Sequence, residues 1–229
     1  MAPEGEGADV IDRNRVRELV VDANDGIMAV AGIAEGFIGA GASTSATLIA
    51  VLAGAVAGSI ALAGAKFTET AIERDARRVV LDEVRRQLSL SPEEELGELA
   101  ALYEAKGLSP DLAHQVAIEL SSRDALTAHA DAEHGIEPGE RPIRPFVAAA
   151  LAGAAFAVGA LIVVATILST PRSSRLPTTF FAVALSLVLT SLVLARWGQV
   201  PVARTIVRNV GVGMTAMFVS LAIGSLFDL

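Results

Sequence analysis

Residues 47–87 decide the fold, and they read TLIAVLAGAVAGSIALAGAKFTETAIERDARRVVLDEVRRQ. The first part, 47–65, carries no charge and is long enough, at about 1.5 Å per residue, to cross the hydrocarbon core of a bilayer as a helix. The second part, 66–87, is dense in charge, and no proline interrupts the stretch before Pro92. The pattern therefore predicts one long helix that begins in lipid and ends in water.

The remaining charges follow the same division. The chain has 229 residues, 52% of them hydrophobic, and mean hydropathy is +0.53. Residues 67–143 nevertheless hold 17 of the 26 acidic and 8 of the 18 basic side chains. One apolar run precedes residue 47, and three more follow the charged region, at 146–168, 176–195 and 205–227. Runs of this length argue for membrane spans. The sequence predicts an all-α, five-span transmembrane helical protein with a three-helix cytosolic insert between spans 2 and 3.

The insert is predicted to contain the charged end of the long helix and two further helices. Ser91 and Ser109 are each followed by proline and acidic residues, a pattern typical of a capped helix start. Gly107 and Gly135 are placed to end the two helices.

We expect four segments in all. They are an N-terminal cytosolic segment at 1–24, a transmembrane hairpin at 25–66, a cytosolic acidic domain at 67–143, and spans 3–5 at 144–229. Apolar positions in the first segment favour a short amphipathic helix on the membrane surface. We expect the N-terminus and the insert on the cytosolic side and the C-terminus on the outer side. This orientation places most arginines near the spans on the inner side, as the positive-inside rule prefers: Arg13, Arg15, Arg17, Arg196, Arg204 and Arg208. Arg172 and Arg175 would fall on the outer side, against that rule.

Several classes of protein do not fit this sequence. It contains no cysteine, so it has neither disulfides nor a thiolate metal site. The net charge of −8 argues against nucleic acid as a partner. No nucleophile–base set or phosphate-binding loop is present, so we expect neither a catalytic residue nor a permanently bound cofactor.

Three ionisable residues lie within or beside the first two spans. Asp25 sits at the start of the first run, where it can interact with the helix dipole or line an ion path. Glu35 falls near mid-bilayer and must be protonated, paired or in contact with a wet cavity. Lys66 ends the second run, where it either reaches the inner headgroups or pairs with Asp25.

The insert offers a set of possible metal ligands whose spacing places pairs of them on shared helix faces. The set consists of Glu94, Glu95, Glu98, His129 and Glu133, with Asp131 beside them. Carboxylate oxygens with an imidazole suit ferrous iron or manganese. A solvated acidic face would give the same spacing, so the residues alone leave both interpretations open.

Several motifs resemble the vacuolar iron transporter family, from about residue 22 to residue 227. They are DANDGI at 22–27, AIERD at 71–75, SPEEELGELAALYEAKGLSPDLAHQVAIEL at 91–120, DALTAHADAEHGI at 124–136 and RNVGVGMTAM at 208–217. The stretch in the insert is the specific one, because its parts occur together and in order.

The resemblance implies a homodimeric exporter that moves Fe²⁺ or Mn²⁺ out of the cytosol, with proton coupling. It implies that Asp25 lies in the ion path, and that Glu95, Glu98 and Glu133 bind metal. The ion would be a transported substrate, and lipid and a second copy would be the other partners. Alanine- and arginine-rich usage suggests a bacterial plasma membrane.

The sequence departs from the family pattern at positions that matter for metal. Leu62 replaces a methionine of the second span, and Lys66 replaces a glutamate. Val84 and Gln87 occupy the positions of two glutamates in the long helix. These departures keep a second hypothesis open, a non-transporting, membrane-anchored helical protein for sensing or partner binding.

Overall fold

The computed structural model describes residues 6–136, 143–198 and 201–227. The first five residues of the predicted 1–24 segment and the end of the predicted 67–143 domain therefore lie outside the described residues. Throughout the described part the structure is helical, without a strand, and agrees with the predicted all-α class. The helices are α1 (Glu6–Gly39), α2 (Thr44–Leu90), α3 (Pro92–Ala105), α4 (Pro110–His134), α5 (Pro145–Ser169), α6 (Arg175–Gly198) and α7 (Val202–Gly224), with a 3-10 turn at Arg172–Ser174.

The chain forms two compact units. The first contains Met1–Phe67 and Phe146–Leu229, and the second contains Thr68–Pro145. Helix α2 is a single helix of 47 residues that runs from the first unit into the second. The long uninterrupted helix predicted from residues 47–87 is therefore present.

Four helices of the described chain are long and apolar enough to cross a membrane, namely α2, α5, α6 and α7. Helix α1 is not among them, because its last 18 residues include Asp22, Asp25 and Glu35. It also differs from the expectation at its start. Residues 6–39 form one continuous helix, so the helix predicted before Asp25 is present but is not a short element of its own.

The core of the first unit brings the apolar half of α1 together with the four candidate spans. Ile27, Val30 and Ala31 of α1 are at most 1% exposed. They belong to one buried cluster with Val51 of α2 and with residues of the later helices: Phe156, Ala160, Val163, Val164, Ile167, Val183, Leu187 and Met217. The apolar half of α1 thus lies inside the bundle.

Two glycine positions let α1 approach its neighbours closely. A Cβ atom at Gly159 of α5 would lie 2.0 Å from the carbonyl oxygen of Ala23. One at Gly224 of α7 would lie 1.9 Å from the carbonyl oxygen of Gly36. Small residues at such crossings allow backbone contact between membrane helices. Any side chain at either position would force α1 away.

An arginine pair joins the two loops at one end of this bundle. Arg172 donates hydrogen bonds to the carbonyl oxygens of Gly41 and Ala42, beyond the end of α1. Arg175 is 5% exposed and donates to Thr44 Oγ1 and to the carbonyl oxygen of Thr170. Cations suit carbonyl groups at a helix C-terminus. Both arginines therefore have structural partners at this end.

The second unit is built on the packing of α3 against α4. Leu99, Ala100 and Ala117 are buried together, and Tyr103 packs against them as predicted. Gly107 and Gly135 adopt positive φ after the two helices, also as predicted. The two helices begin where predicted, but the capping hydrogen bonds expected from the serine side chains are absent. Neither Ser91 nor Ser109 makes a side-chain capping hydrogen bond, so the prolines at the first helical turn define both helix starts.

Helix α4 contains a break at Asp124, whose backbone is non-helical at φ −160° and ψ 91°. The Asp124 carboxylate accepts hydrogen bonds from Thr127 N at 3.1 Å and from Thr127 Oγ1 at 2.6 Å. This is the arrangement of a helix N-cap. Residues 125–134 thus form a new helical segment with Asp124 as its N-cap.

Candidate metal centre

Three of the predicted ligands come together in the second unit. Glu95, His129 and Glu133 each offer an atom to a group in which all atoms lie within 4.8 Å of one another. The Nδ1 atom of His129 is 3.1 Å from Glu133 Oε1 and 3.6 Å from Glu95 Oε2. Two carboxylates therefore face one nitrogen of the imidazole ring.

The local fold explains this arrangement. Glu95 lies in the first turn of α3 and is 6% exposed. His129 and Glu133 are four residues apart and so share one face of α4. Both follow the break at Asp124, so the direction of the capped segment sets the position of these two side chains relative to α3.

In the metal-free state, burial and the neighbouring acids disfavour the negative charge of Glu95. Burial raises the pKa of Glu95 above its ordinary value, and the charges of Glu98, Glu133 and Glu94 raise it further. His129 acts in the opposite direction. A bound divalent cation would offset the same burial and repulsion.

The other predicted ligands are arranged differently. Glu94 and Glu98 are exposed, although their charges reach Glu95, and Asp131 is exposed as well. The compact group of three therefore forms the inner part of the predicted set. Glu94 and Glu98 form an acidic rim that solvent can reach.

His129 is buried, at 0% exposure, and its Nε2 atom has no hydrogen-bond partner among the described residues. A buried polar atom without a partner is unusual and costs about 1–3 kcal/mol. The Nδ1 atom faces Glu95 and Glu133, so a metal ion would bind there as the proton on that nitrogen leaves. Two oxygens and one nitrogen suit Fe²⁺ or Mn²⁺ and leave further positions for water.

The charged part of α2 does not replace the glutamates that are missing there. Asp82 and Glu83, the nearest acids, form ion pairs with arginines of the same helix: Arg78, Arg85 and Arg86. Val84, at one of the two substituted positions, is 1% exposed. An apolar side chain thus stands at an interior position of the second unit.

The membrane-associated candidates lie on different faces of α1. Asp25 is exposed, together with Glu18, Val21 and Ala29 on the same stripe of the helix. Glu35 is 0% exposed, and neither of its carboxylate oxygens has a hydrogen-bond partner within the described chain. The two acids therefore do not line the same surface of the chain.

Lys66 does not pair with Asp25, contrary to the expectation. Its Nζ atom lies 3.8 Å from Glu18 Oε2, about two turns before Asp25 on the same stripe of α1. Leu62, one turn earlier on α2, packs against the core of the first unit. The basic side chain thus joins α2 to the polar half of α1.

Two residues that matter for these sites were missed at the sequence level. Glu18 lies in a polar stretch with no pattern to single it out. Asp124 did carry a signal, since aspartate is one of the residues preferred at a helix N-cap. The apolar pattern that continues through α4 concealed it.

The four long apolar helices indicate a multi-pass membrane protein, and its acidic helical unit contains a carboxylate–imidazole group. The sequence matches the VIT family over residues 16–225. The chain belongs to this family, whose members are transporters and not enzymes.

Two curated relatives are similar to the chain. A vacuolar iron transporter of Acanthamoeba castellanii is 37% identical over 141 residues, which cover 62% of this chain and 51% of the relative. Vacuolar iron transporter 2 of Oryza sativa subsp. japonica is 26% identical over 176 residues, covering 76% and 71% of the two chains. The chain thus spans about half the length of the first of these relatives.

Proposed function

We propose that the protein transports divalent iron across a membrane, out of the cytosol and in exchange for protons. The observation that carries the proposal is the group of Glu95, His129 and Glu133 within 4.8 Å, held in a family of transporters. The names of both relatives support iron as the substrate. Mn²⁺ has similar ligand preferences and is a second substrate to test.

The acidic insert collects the ion before transport. Glu94 and Glu98 attract cations at its surface, and the three inner residues bind the ion that arrives. Three protein ligands hold a divalent ion less firmly than a closed site, because water occupies the remaining positions. Such a site can release its ion, as a transporter requires.

The membrane part has five spans in this proposal, with the apolar half of α1 as the first. Its support is the burial of Ile27, Val30 and Ala31 among the four candidate spans. If those four helices cross the membrane, the apolar half of α1 that packs against all four lies in the membrane as well. The insert and the N-terminus then share the cytosolic side of a plasma membrane of bacterial type.

The arginines agree with this orientation. Arg196, Arg204 and Arg208 lie at the cytosolic ends of α6 and α7. Arg172 and Arg175 lie on the opposite side, but their hydrogen bonds to the 41–44 turn and to Thr170 give them a structural role. The positive-inside rule concerns the balance of basic residues between loops, and the majority lies inside.

A homodimer is part of the proposal because of the position of Asp25. An aspartate facing lipid is unfavourable by up to about 3 kcal/mol near the bilayer centre. Asp25 lies on an exposed stripe of α1 with Glu18 and Ala29. A second copy packed on this stripe would remove Asp25 from lipid and place two aspartates beside one ion path.

The pairing of Lys66 with Glu18 favours a second candidate function, that of a membrane-anchored sensor without transport. An ammonium group beside the entrance repels divalent cations, and Leu62 has no ligand atom to offer. In that case the insert would bind metal while the bundle conducts none.

Ion flux into proteoliposomes with an imposed proton gradient tests the proposal. We expect Fe²⁺ flux in the wild type, its loss in Asp25→Asn, and at least about a tenfold reduction in His129→Ala, which removes a direct ligand. Glu104→Gln, at an exposed acid of α3, is the matched control and should transport normally.

Absence of Fe²⁺ and Mn²⁺ flux in the wild type would overturn transport. Saturable metal binding by the same full-length protein would then support the sensor. Equal and robust flux in the wild type and in Lys66→Glu would show that Lys66 does not block the entrance.

A further inference from the structure

Glu35 is buried more completely than any other acid of the described membrane helices. It is 0% exposed, and neither carboxylate oxygen has a hydrogen-bond partner among the residues that the structure describes. An ionised carboxylate without a partner in an apolar interior is unstable by several kcal/mol. In this conformation the group therefore either carries a proton or binds a cation.

The surroundings of Glu35 argue against a divalent cation. Helices α6 and α7 pack against α1, and the shared core adds α2 and α5. Helix α5 and the apolar half of α2 contain no ionisable residue. The ionisable residues of α6 and α7 are arginines near the helix ends: Arg175, Arg196, Arg204 and Arg208. A single carboxyl group among apolar side chains offers too few ligands for Fe²⁺ or Mn²⁺, so a proton is the cation that fits.

A buried arginine, Arg175, lies at the end of the bundle where Glu35 is found. Arg175 is the first residue of α6, and Glu35 lies in the last two turns of α1. The Nε atom of Arg175 has no acceptor in the described part of the chain, and the side chain forms no ion pair with Glu35. Each residue thus has an unused hydrogen-bonding atom in the conformation described.

We propose that Glu35 is a proton-binding site whose ionised form pairs with Arg175. In the present conformation the carboxyl group is protonated. When α1 and α6 move enough for the two side chains to meet, the O–H bond breaks, the electron pair stays on the carboxylate oxygen, and the proton passes to water. The ion pair with Arg175 then stabilises the charge.

This inference rests on the proposed function for its meaning in transport. It assigns the coupling proton to the interior of each subunit, whereas the metal ion passes along the exposed Asp25 stripe of α1. The two routes are separate because Asp25 is exposed and Glu35 is not.

Infrared spectroscopy of the full-length protein in lipid nanodiscs tests the proton itself. The carbonyl stretch of a protonated carboxylic acid should be present in the wild type at neutral pH and disappear at alkaline pH, and the Glu35 contribution should be the part of this band that Glu35→Gln lacks at neutral pH. Asp25→Asn, the matched control, should retain it. Glutamine has nearly the shape of the protonated acid, so this variant should fold. Identical carbonyl bands in the wild type and in Glu35→Gln would overturn the proposal.

The role of Arg175 and the coupling are tested separately. Arg175→Gln should keep the protonated band to higher pH, because the ionised form has lost its partner; an unchanged titration would exclude Arg175. In proteoliposomes, Glu35→Gln should reduce proton movement per metal ion by about tenfold, since a proton relay has lost its titrating group. Full proton movement in that variant would overturn the coupling role. If the wild type carries no metal, the proposed function fails, while the infrared result still decides whether Glu35 holds a proton.

Discussion

At the scale of single residues, Glu95 shows how a binding site can oppose stability. Its pKa is raised by burial and by neighbouring acids, so the folded state disfavours its charge. Stability of the metal-free second unit should therefore fall as pH rises above about 4.3, the ordinary pKa of a glutamate, because the unfolded chain ionises Glu95 more readily.

We predict that Glu95→Gln stabilises the metal-free second unit at neutral pH and weakens metal binding by at least about tenfold. Amide hydrogen exchange at residues 92–134 of the full-length protein measures the first effect, and calorimetric titration with Mn²⁺ the second. Glu104→Gln is the control for both. Lower protection in Glu95→Gln than in the wild type would contradict the sign of the effect.

Asp124 affects the metal site indirectly, because it caps the helical segment that carries His129 and Glu133. We predict that Asp124→Ala costs about 1 kcal/mol of local stability at residues 125–134, the usual effect of losing an N-cap. Metal affinity should fall with it, because His129 and Glu133 lie on this segment. Asp131→Ala, at an exposed acid of the same segment, should leave hydrogen exchange unchanged.

The charge of Asp124 gives this cap a pH dependence of the opposite sign to that of Glu95. Hydrogen bonds from Thr127 lower the pKa of Asp124, so its stabilising effect is present above the ordinary aspartate pKa and is lost as pH falls. Asp124→Asn keeps most of the cap and should remove the pH dependence. A wild-type acid dependence that persists in Asp124→Asn would assign it to another group.

At the scale of helices, the contact between α1 and α7 depends on the absence of a side chain. A Cβ atom at Gly224 would lie 1.9 Å from the carbonyl oxygen of Gly36, whereas one at Gly211 of the same helix would meet nothing within 4 Å. We predict that Gly224→Ala lowers the free energy of unfolding by about 1–3 kcal/mol, a typical overpacking cost. Gly211→Ala should be neutral or slightly stabilising. Thermal unfolding of both variants in detergent compares them, and equal midpoints would disprove the close contact.

Helices were predictable where local chemistry determines them. The long α2, the proline starts of α3 and α4, and the glycines after these two helices could be inferred from composition and backbone preference. The N-cap signal of Asp124 was concealed by the apolar pattern that continues through α4. The Lys66–Glu18 ion pair could not be inferred, because it depends on how α1 packs against α2. The same limit applies to the candidate site: spacing selected five ligands, but only the fold brings Glu95 to His129 and Glu133.

At the scale of the whole molecule, the exposed stripe of α1 predicts how two copies meet. The chain has no cysteine, so a single engineered cysteine reports on one position. Ala29 lies on the stripe one turn after Asp25, and Ala154 is an exposed alanine of α5. We predict that Ala29→Cys forms a disulfide-linked dimer in membranes under mild oxidation, because the partner's stripe faces it. Ala154→Cys should remain monomeric on a denaturing gel. Cross-linking of Ala154→Cys but not of Ala29→Cys would place the interface elsewhere, and Asp25 would then need another means of avoiding lipid.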